Sequence, residues 1–285
     1  MANYTTADIK ALREKTGAGM LDVKKALEEA DGDTEKAIEI IRVKGLKGIA
    51  KREGRSASAG LIAAKVVGAP DGTDGADGQV GVLVEVNAET DFVAKNQKFI
   101  DFAARVLDAA VDSGAETVEE LAEVAAGGST VKELTDSMQA VIGEKIVVRR
   151  IARLAAPRVE TYLHRTNPDL PAQVAVLVGT DEAAAEVAHD VAMHVAAYSP
   201  LYLTREDVPA ETIAKERAIA EETTRAEGKP EKAVPRIVEG RLNGYFKESC
   251  LVDQPYAKDP KTTVGKVVKA TGGSLTGFVR FRVGA

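Results

Sequence analysis

Tryptophan is absent from the 285 residues, cysteine occurs once (Cys250) and histidine three times (His164, His189 and His194). A single cysteine excludes an internal disulfide. A structural zinc site needs about four ligands, mostly Cys and His, and these scattered residues do not supply them. No metal and no cofactor is therefore expected. No apolar run approaches the roughly 20 residues that cross a bilayer, so no membrane association is expected. The opening Met-Ala-Asn-Tyr-Thr-Thr lacks a basic stretch followed by an apolar one, which argues against a secretory signal. The expected compartment is the cytoplasm. Enzyme signatures are missing too. There is no Gly-x-Gly-x-x-Gly, no Gly-Lys-Ser/Thr phosphate loop and no His-Glu-x-x-His, so no catalytic residue is assigned. His189 and His194 lie five apart, which is not one helical turn. Basic residues are outnumbered, giving a formal net charge of −6. That opposes general nucleic-acid binding, which needs a positive field.

What is present reads as a globular chain. Hydrophobic residues make up 45% and charged residues 29%, enough to bury a core, and the length suggests about two domains. Residues 1–54 form a helical module followed by a basic linker. Thr5 and Thr6 cap a helix carrying Ile9 and Leu12, and Gly17 suits its left-handed stop. A second helix over 20–30 places Val23, Ala26, Leu27 and Ala30 on one face. Asp33 caps a third, with Ala37, Ile38, Ile41 and Leu46 as its buried stripe. Three short helices make a marginal core, so the module is expected to lean on the rest of the protein or on a partner. Residues 44–58 mix Lys and Arg with Gly and Ser. An RNA contact is one reading. A solvated linker is favoured, because no aromatic residue interleaves with the charges to stack on bases.

The remainder alternates strands and helices. Residues 55–156 form one lobe, with strands over 61–67, 80–86 and 146–154. A Gly/Asp-rich loop spans 68–79. A long helix carries Phe99, Phe102, Ala103, Val106, Leu107 and Ala110, and shorter helices span 117–126 and 131–142. Residues 157–205 and 249–285 repeat the plan, with strands over 158–164 and 173–178, a helix over 182–197, and a last strand over 276–283. Val82-Leu83-Val84-Glu85 and Val176-Leu177-Val178-Gly179 stand at matching places. The overall class is α+β, with two related lobes of small antiparallel sheets and packed helices. Residues 206–248 interrupt the second lobe as an antiparallel helical hairpin. Pro209 and Pro230 start its helices, and Pro235 kinks the second or delays its start. Such an arm buries little by itself and is expected either to fold back or to seek a partner surface, including a second copy of the chain.

One junction stands out. A strand ends near Val86 and a helical pattern starts near Val93, with Thr90, Asp91 and Phe92 between them. Turns held by a rigid scaffold often carry function. The plainer reading makes Thr90 or Asp91 an N-cap and Phe92 a hydrophobic staple.

Four runs, in order, carry a family likeness. They are 12–20 (Leu-Arg-Glu-Lys-Thr-Gly-Ala-Gly-Met) with Asp22 and 24–27 (Lys-Lys-Ala-Leu), 90–96 (Thr-Asp-Phe-Val-Ala-Lys-Asn), 193–197 (Met-His-Val-Ala-Ala) and 276–281 (Thr-Gly-Phe-Val-Arg-Phe). With them the chain resembles the elongation factor Ts family, exchange factors that act on elongation factor Tu in its GDP-bound and nucleotide-free forms. The resemblance implies a UBA-like N-terminal module and assigns roles. Arg13, Met20 and Leu21 match contacts to the partner's nucleotide-binding domain. Asp91 and Phe92, flanked by Thr90 and Val93, match the pair that intrudes near the partner's magnesium site. His194, Ala196 and Ala197 match a contact to the partner's distal domain. Some relatives continue beyond the last strand into a further helix, and that contact is expected to be absent here, where the sequence stops at Ala285.

Overall fold

The computed structural model describes residues 3–16, 18–69 and 78–285. It is an α+β protein. The N-terminal module contains α1 (Thr6–Thr16), α2 (Met20–Glu29) and α3 (Thr34–Arg52). Leu12, Val23, Leu27, Ala37 and Ile41 form its core. Asp33 caps α3 by accepting from the Glu35 and Lys36 amides. The stop expected at Gly17 lies outside the described residues.

The first lobe is a three-stranded antiparallel sheet in the order β1-β2-β3. Its strands are β1 (Ala59–Gly68), β2 (Gln79–Ala88) and β3 (Ile146–Ala156). Between β2 and β3 run α4 (Asp91–Ala94), α5 (Gln97–Ser113), α6 (Val118–Glu123) and α7 (Val131–Ile142). Phe99, Phe102, Val106 and Ala110 of α5 bury against Val82, Val84 and Val86 of β2. Most of the loop expected over 68–79 falls outside the described residues.

The linker expected over 44–58 is corrected. Residues 44–52 continue α3, which docks on α7. An added Cβ on Gly45 would lie 2.1 Å from the Ala140 carbonyl oxygen, so this glycine marks close packing rather than slack. The inward face of α3 runs through the buried Ala37 and Ile41 and the half-buried Gly45 and Gly48 at helical spacing. Leu46 lies to one side of it and is 41% exposed.

The second lobe contains β4 (Arg158–His164), β5 (Val174–Thr180) and α8 (Ala185–Tyr198). It continues after the inserted α9 (Ala210–Ala226) and α10 (Val234–Ser249) with β6 (Pro255–Tyr256), β7 (Asp259–Thr263), α11 (Val264–Ala270) and β8 (Leu275–Arg282). The expected C-terminal strand completes the second sheet, in the order β4-β5-β8, with Val176 opposite Arg280. The short β6–β7 pair and α11 have no counterpart in the sequence reading. A 3-10 turn over Glu231–Ala233 precedes α10, and Pro235 sits in the first turn of that helix, so the proline delays the helix. Ala220, Val234, Val238 and Leu242 form the seam of the α9–α10 pair.

The two sheets pack on each other through Ile62, Leu83, Val159, Leu177 and Phe281. Both faces of β2 and β5 are therefore covered, which explains why each reads as a continuous apolar run rather than an alternating one. Gly81 lets the sheets approach, since an added Cβ would lie 2.8 Å from Leu177. A polar lock closes the junction. The fully buried Glu85 accepts from Arg150 Nε at 2.6 Å and from the Gly284 amide at 3.2 Å. The Arg150 guanidinium lies 4.2 Å from the Phe281 ring centre. No helix among the described residues is long and apolar enough to cross a membrane.

Candidate functional site

The junction where β2 runs into α4, whose first two residues are Asp91 and Phe92, is held from below. Thr90 is the N-cap and accepts from the Val93 amide at 3.4 Å. Its own amide and hydroxyl donate to the Glu144 carboxylate at 3.1 and 2.8 Å. Next to it, Glu89 accepts from the Lys145 amide at 2.6 Å and from Arg55 at 3.2 Å. Val93 and Ala94 are buried, and Asn96 caps α5 by accepting from the Lys98 amide at 2.9 Å. With both flanks pinned, the two residues between them face outward. Asp91 is exposed, and Phe92 is 77% exposed, with Lys95 Nζ 4.9 Å from the ring centre. The capping reading holds for Thr90. The staple reading fails for Phe92, whose ring rests on no core.

Leaving a phenylalanine in water forgoes roughly 1.5–3 kcal/mol of burial. A flexible loop could fold it away, but this turn is fixed by two carboxylates and two caps. An exposed aromatic on a rigid turn is suited to insertion into a groove on another molecule.

The N-terminal module presents a second apolar surface. Arg13 is exposed, while Met20 and Leu21 are 59% and 71% exposed at the start of α2. Lys98 Nζ donates to the Glu14 carbonyl, tying the end of α1 to the first turn of α5, just beyond the Phe92 turn.

His194, expected as a partner contact, lies beneath the surface of the lobe. It is 1% exposed. Its Nε2–H donates to Gln254 Oε1 at 2.8 Å and its Nδ1 accepts from the Ala257 amide at 3.3 Å. That pair of bonds describes the neutral ring, and burial pushes its pKa below the ordinary value. Tyr198 stacks on it at 4.5 Å and is itself 53% exposed. Ala196 is half-buried and its carbonyl accepts from Arg280 at 3.1 Å, while Ala197 is exposed. The surface over His194 is thus Ala197 and Tyr198, with Leu201, 68% exposed, following the left-handed Ser199 that ends α8. Sequence reasoning missed Tyr198 and Leu201. Their only trace is an apolar pair lying just past the end of a helical pattern, where periodicity no longer assigns a face.

Among the described residues no group of three or more His, Cys, Asp or Glu is placed to hold a metal ion.

Comparison with known proteins identifies the family. Residues 89–285 match the sequence model of the family described as elongation factor TS. Over the full length of both chains, the sequence is 67% identical to an elongation factor Ts of Beutenbergia cavernae. It is 61% identical to one of Micrococcus luteus and 58% identical to one of Renibacterium salmoninarum, again across all of both chains.

Proposed function

The chain belongs to the elongation factor Ts family of translation factors, and we propose that it exchanges guanine nucleotide on elongation factor Tu. It binds the GDP-loaded partner and drives GDP off by pressing Asp91 and Phe92 toward the site where the partner holds nucleotide and magnesium. GTP then enters the emptied site. No covalent bond is made or broken.

The observation that carries this reading is the outward ring of Phe92 on a pinned turn. Exchange requires reciprocal weakening: if the factor lowers nucleotide affinity by some ratio, nucleotide lowers factor affinity by the same ratio. Each tenfold of that ratio needs about 1.4 kcal/mol of differential contact. Burying the Phe92 ring in a partner groove supplies roughly 1.5–3 kcal/mol, about one to two powers of ten. Asp91 brings a carboxylate toward oxygens that already surround a cation, where added negative charge disturbs ligand geometry.

The other surfaces anchor. Residues 1–54 dock through Arg13, Met20 and Leu21 on the partner's nucleotide-binding domain. The second lobe, residues 157–205 with 249–285, docks through Ala197 and Tyr198, supported by Ala196 and His194 beneath. The 206–248 arm adds surface for a further contact, including self-association. The test is stopped-flow release of a fluorescent GDP analogue from the partner, comparing this protein with Phe92→Ala at saturating concentration. The reading requires slower release, and an undiminished rate refutes it.

A further inference from the structure

Where the N-terminal module meets the first lobe there is a cleft of about 180 Å³, lined by Asp22 and Lys25 of α2, Lys44, Gly45 and Arg52 of α3, and Ala140 of α7. Arg52 is only 7% exposed. Arginine is almost never that buried without a paired anion, yet among the described residues Arg52 forms no ion pair. Its Nη2 donates to the Gly45 carbonyl at 2.8 Å, and its Nε has no hydrogen-bond partner among the described residues. Gly48 leaves room for the guanidinium, since an added Cβ there would lie 2.9 Å from Nη1. Lys25 opens onto the same cleft, and so does Lys44, which also pairs with Glu29. The start of α2 borders the cleft as well. Gly19 is its N-cap and no side chain satisfies its first amides, so they present partial positive charge. Asp22 is the one carboxylate in the cleft lining, and Glu89 lies within charge range of Arg52 without pairing with it.

The geometry points to a binding site for a phosphate-sized oxyanion in this cleft, bridging the N-terminal module and the first lobe. At about 30 Å³ per water, the volume holds roughly six waters, room for a free phosphate with part of its shell. A guanidinium fork is shaped for two oxygens of such an anion, and an anion would neutralise a buried cation that forms no ion pair among the described residues. Burial first, then Arg55 nearby, holds the Arg52 guanidinium below its ordinary pKa against the opposing pull of Glu89. A ligand bound only when α2, α3 and α7 are docked favours the docked arrangement by mass action. It would therefore clamp the Met20–Leu21 surface relative to the Phe92 turn.

Titration of the full-length protein with inorganic phosphate, at constant ionic strength, tests this by NMR of the arginine Nε–H signals. The Arg52→Lys variant identifies the Arg52 signal. That signal is expected to shift saturably in the millimolar range. Lys25→Ala, at an exposed position, should weaken binding about tenfold, the worth of one charge-assisted hydrogen bond, and Asp22→Asn should tighten it. An Arg52 signal that stays put throughout the titration overturns the proposal, as does Lys25→Ala binding with unaltered affinity.

Discussion

The two lobes repeat one plan and differ where a central strand hands over to a helix. In the first lobe, β2 leads into a turn whose backbone is pinned while Asp91 and Phe92 face water. In the second, β5 leads into a turn that the lobe closes on itself. Asp181 accepts from Ser274 Oγ at 2.7 Å and from the Ala184 amide at 3.0 Å, bonds that hold its carboxyl below the ordinary carboxylate range. Gly273 packs there so tightly that an added Cβ would lie 2.4 Å from Asp181 Oδ1. No large apolar side chain is exposed at that junction. The second lobe instead exposes its aromatic, Tyr198, at the far end of α8. An acid at the strand-to-helix turn thus serves the fold in one lobe and stays available in the other, and what distinguishes them is whether the lobe supplies partners for it.

The comparison breaks most completely if the sheets no longer hold together. Glu85→Ala leaves Arg150 without its carboxylate at the junction of the two sheets. Removing one member of a buried pair costs 3–5 kcal/mol. Arg150 keeps 32% of its side-chain exposure, which puts the expected loss near the lower end, about 3 kcal/mol. Urea unfolding would measure it, and a loss under about 0.5 kcal/mol would show the lock to be idle.

Next in size is the open turn. Phe92→Ala should slow the GDP release that this protein stimulates from the partner by roughly tenfold to a hundredfold, from the burial worth of the ring. Its unfolding free energy should stay within about 0.5 kcal/mol of the original, as for exposed positions generally. The closed turn provides the contrast: Ser274→Ala should leave the release rate unchanged in the same stopped-flow trace. If both variants slow release alike, the two junctions are not functionally distinct.

Smaller still is the aromatic on the second lobe. Tyr198→Ala should weaken partner affinity by about 1–2 kcal/mol, the range of a moderate interface residue, without altering release at saturation. Calorimetric titration against the GDP-loaded partner separates the two.

The smallest effect is a pH dependence beneath Tyr198. His194 is held neutral with a pKa below the ordinary 6.5, so in that range the unfolded chain binds more protons than the folded one. Its contribution to stability is fully present above about pH 7 and is lost as pH falls from 6.5 toward the folded pKa. Unfolding curves at pH 7.5 and 5.5 should show a steeper acid loss for the original protein than for His194→Gln. Parallel losses would mean that the ring is not protected.

Strand positions were legible because β2 and β5 are covered on both faces and so read as unbroken apolar runs. The helix over 131–142 was legible to the residue. Thr130 and Glu133 form a capping box at its start and Gly143 takes the left-handed stop at its end, all local chemistry. The basic stretch 44–52 misled, because its glycines look like slack until α7 is seen against Gly45. The short β6–β7 pair carries too few residues to show a period. His194 was placed at a surface by its family motif, whereas Gln254 and Ala257, about sixty residues away in sequence, draw it inside.

The sequence alone determined the longer helices and strands, the duplicated plan and the family, since capping, periodicity and motif order are written in neighbouring residues; β6, β7, α11 and the end of α3 escaped it. It also placed Asp91 and Phe92 together on a turn. Only the tertiary structure decided that Phe92 faces water, that Asp181 does not act as its counterpart, that His194 lies under Tyr198 and that Arg52 is buried with no ion pair among the described residues. Those outcomes depend on Glu144, Ser274, Gln254 and, against Gly45, Ala140 of α7, residues remote along the chain. Burial is a property of what packs against a side chain, and no local pattern records which distant surface will arrive.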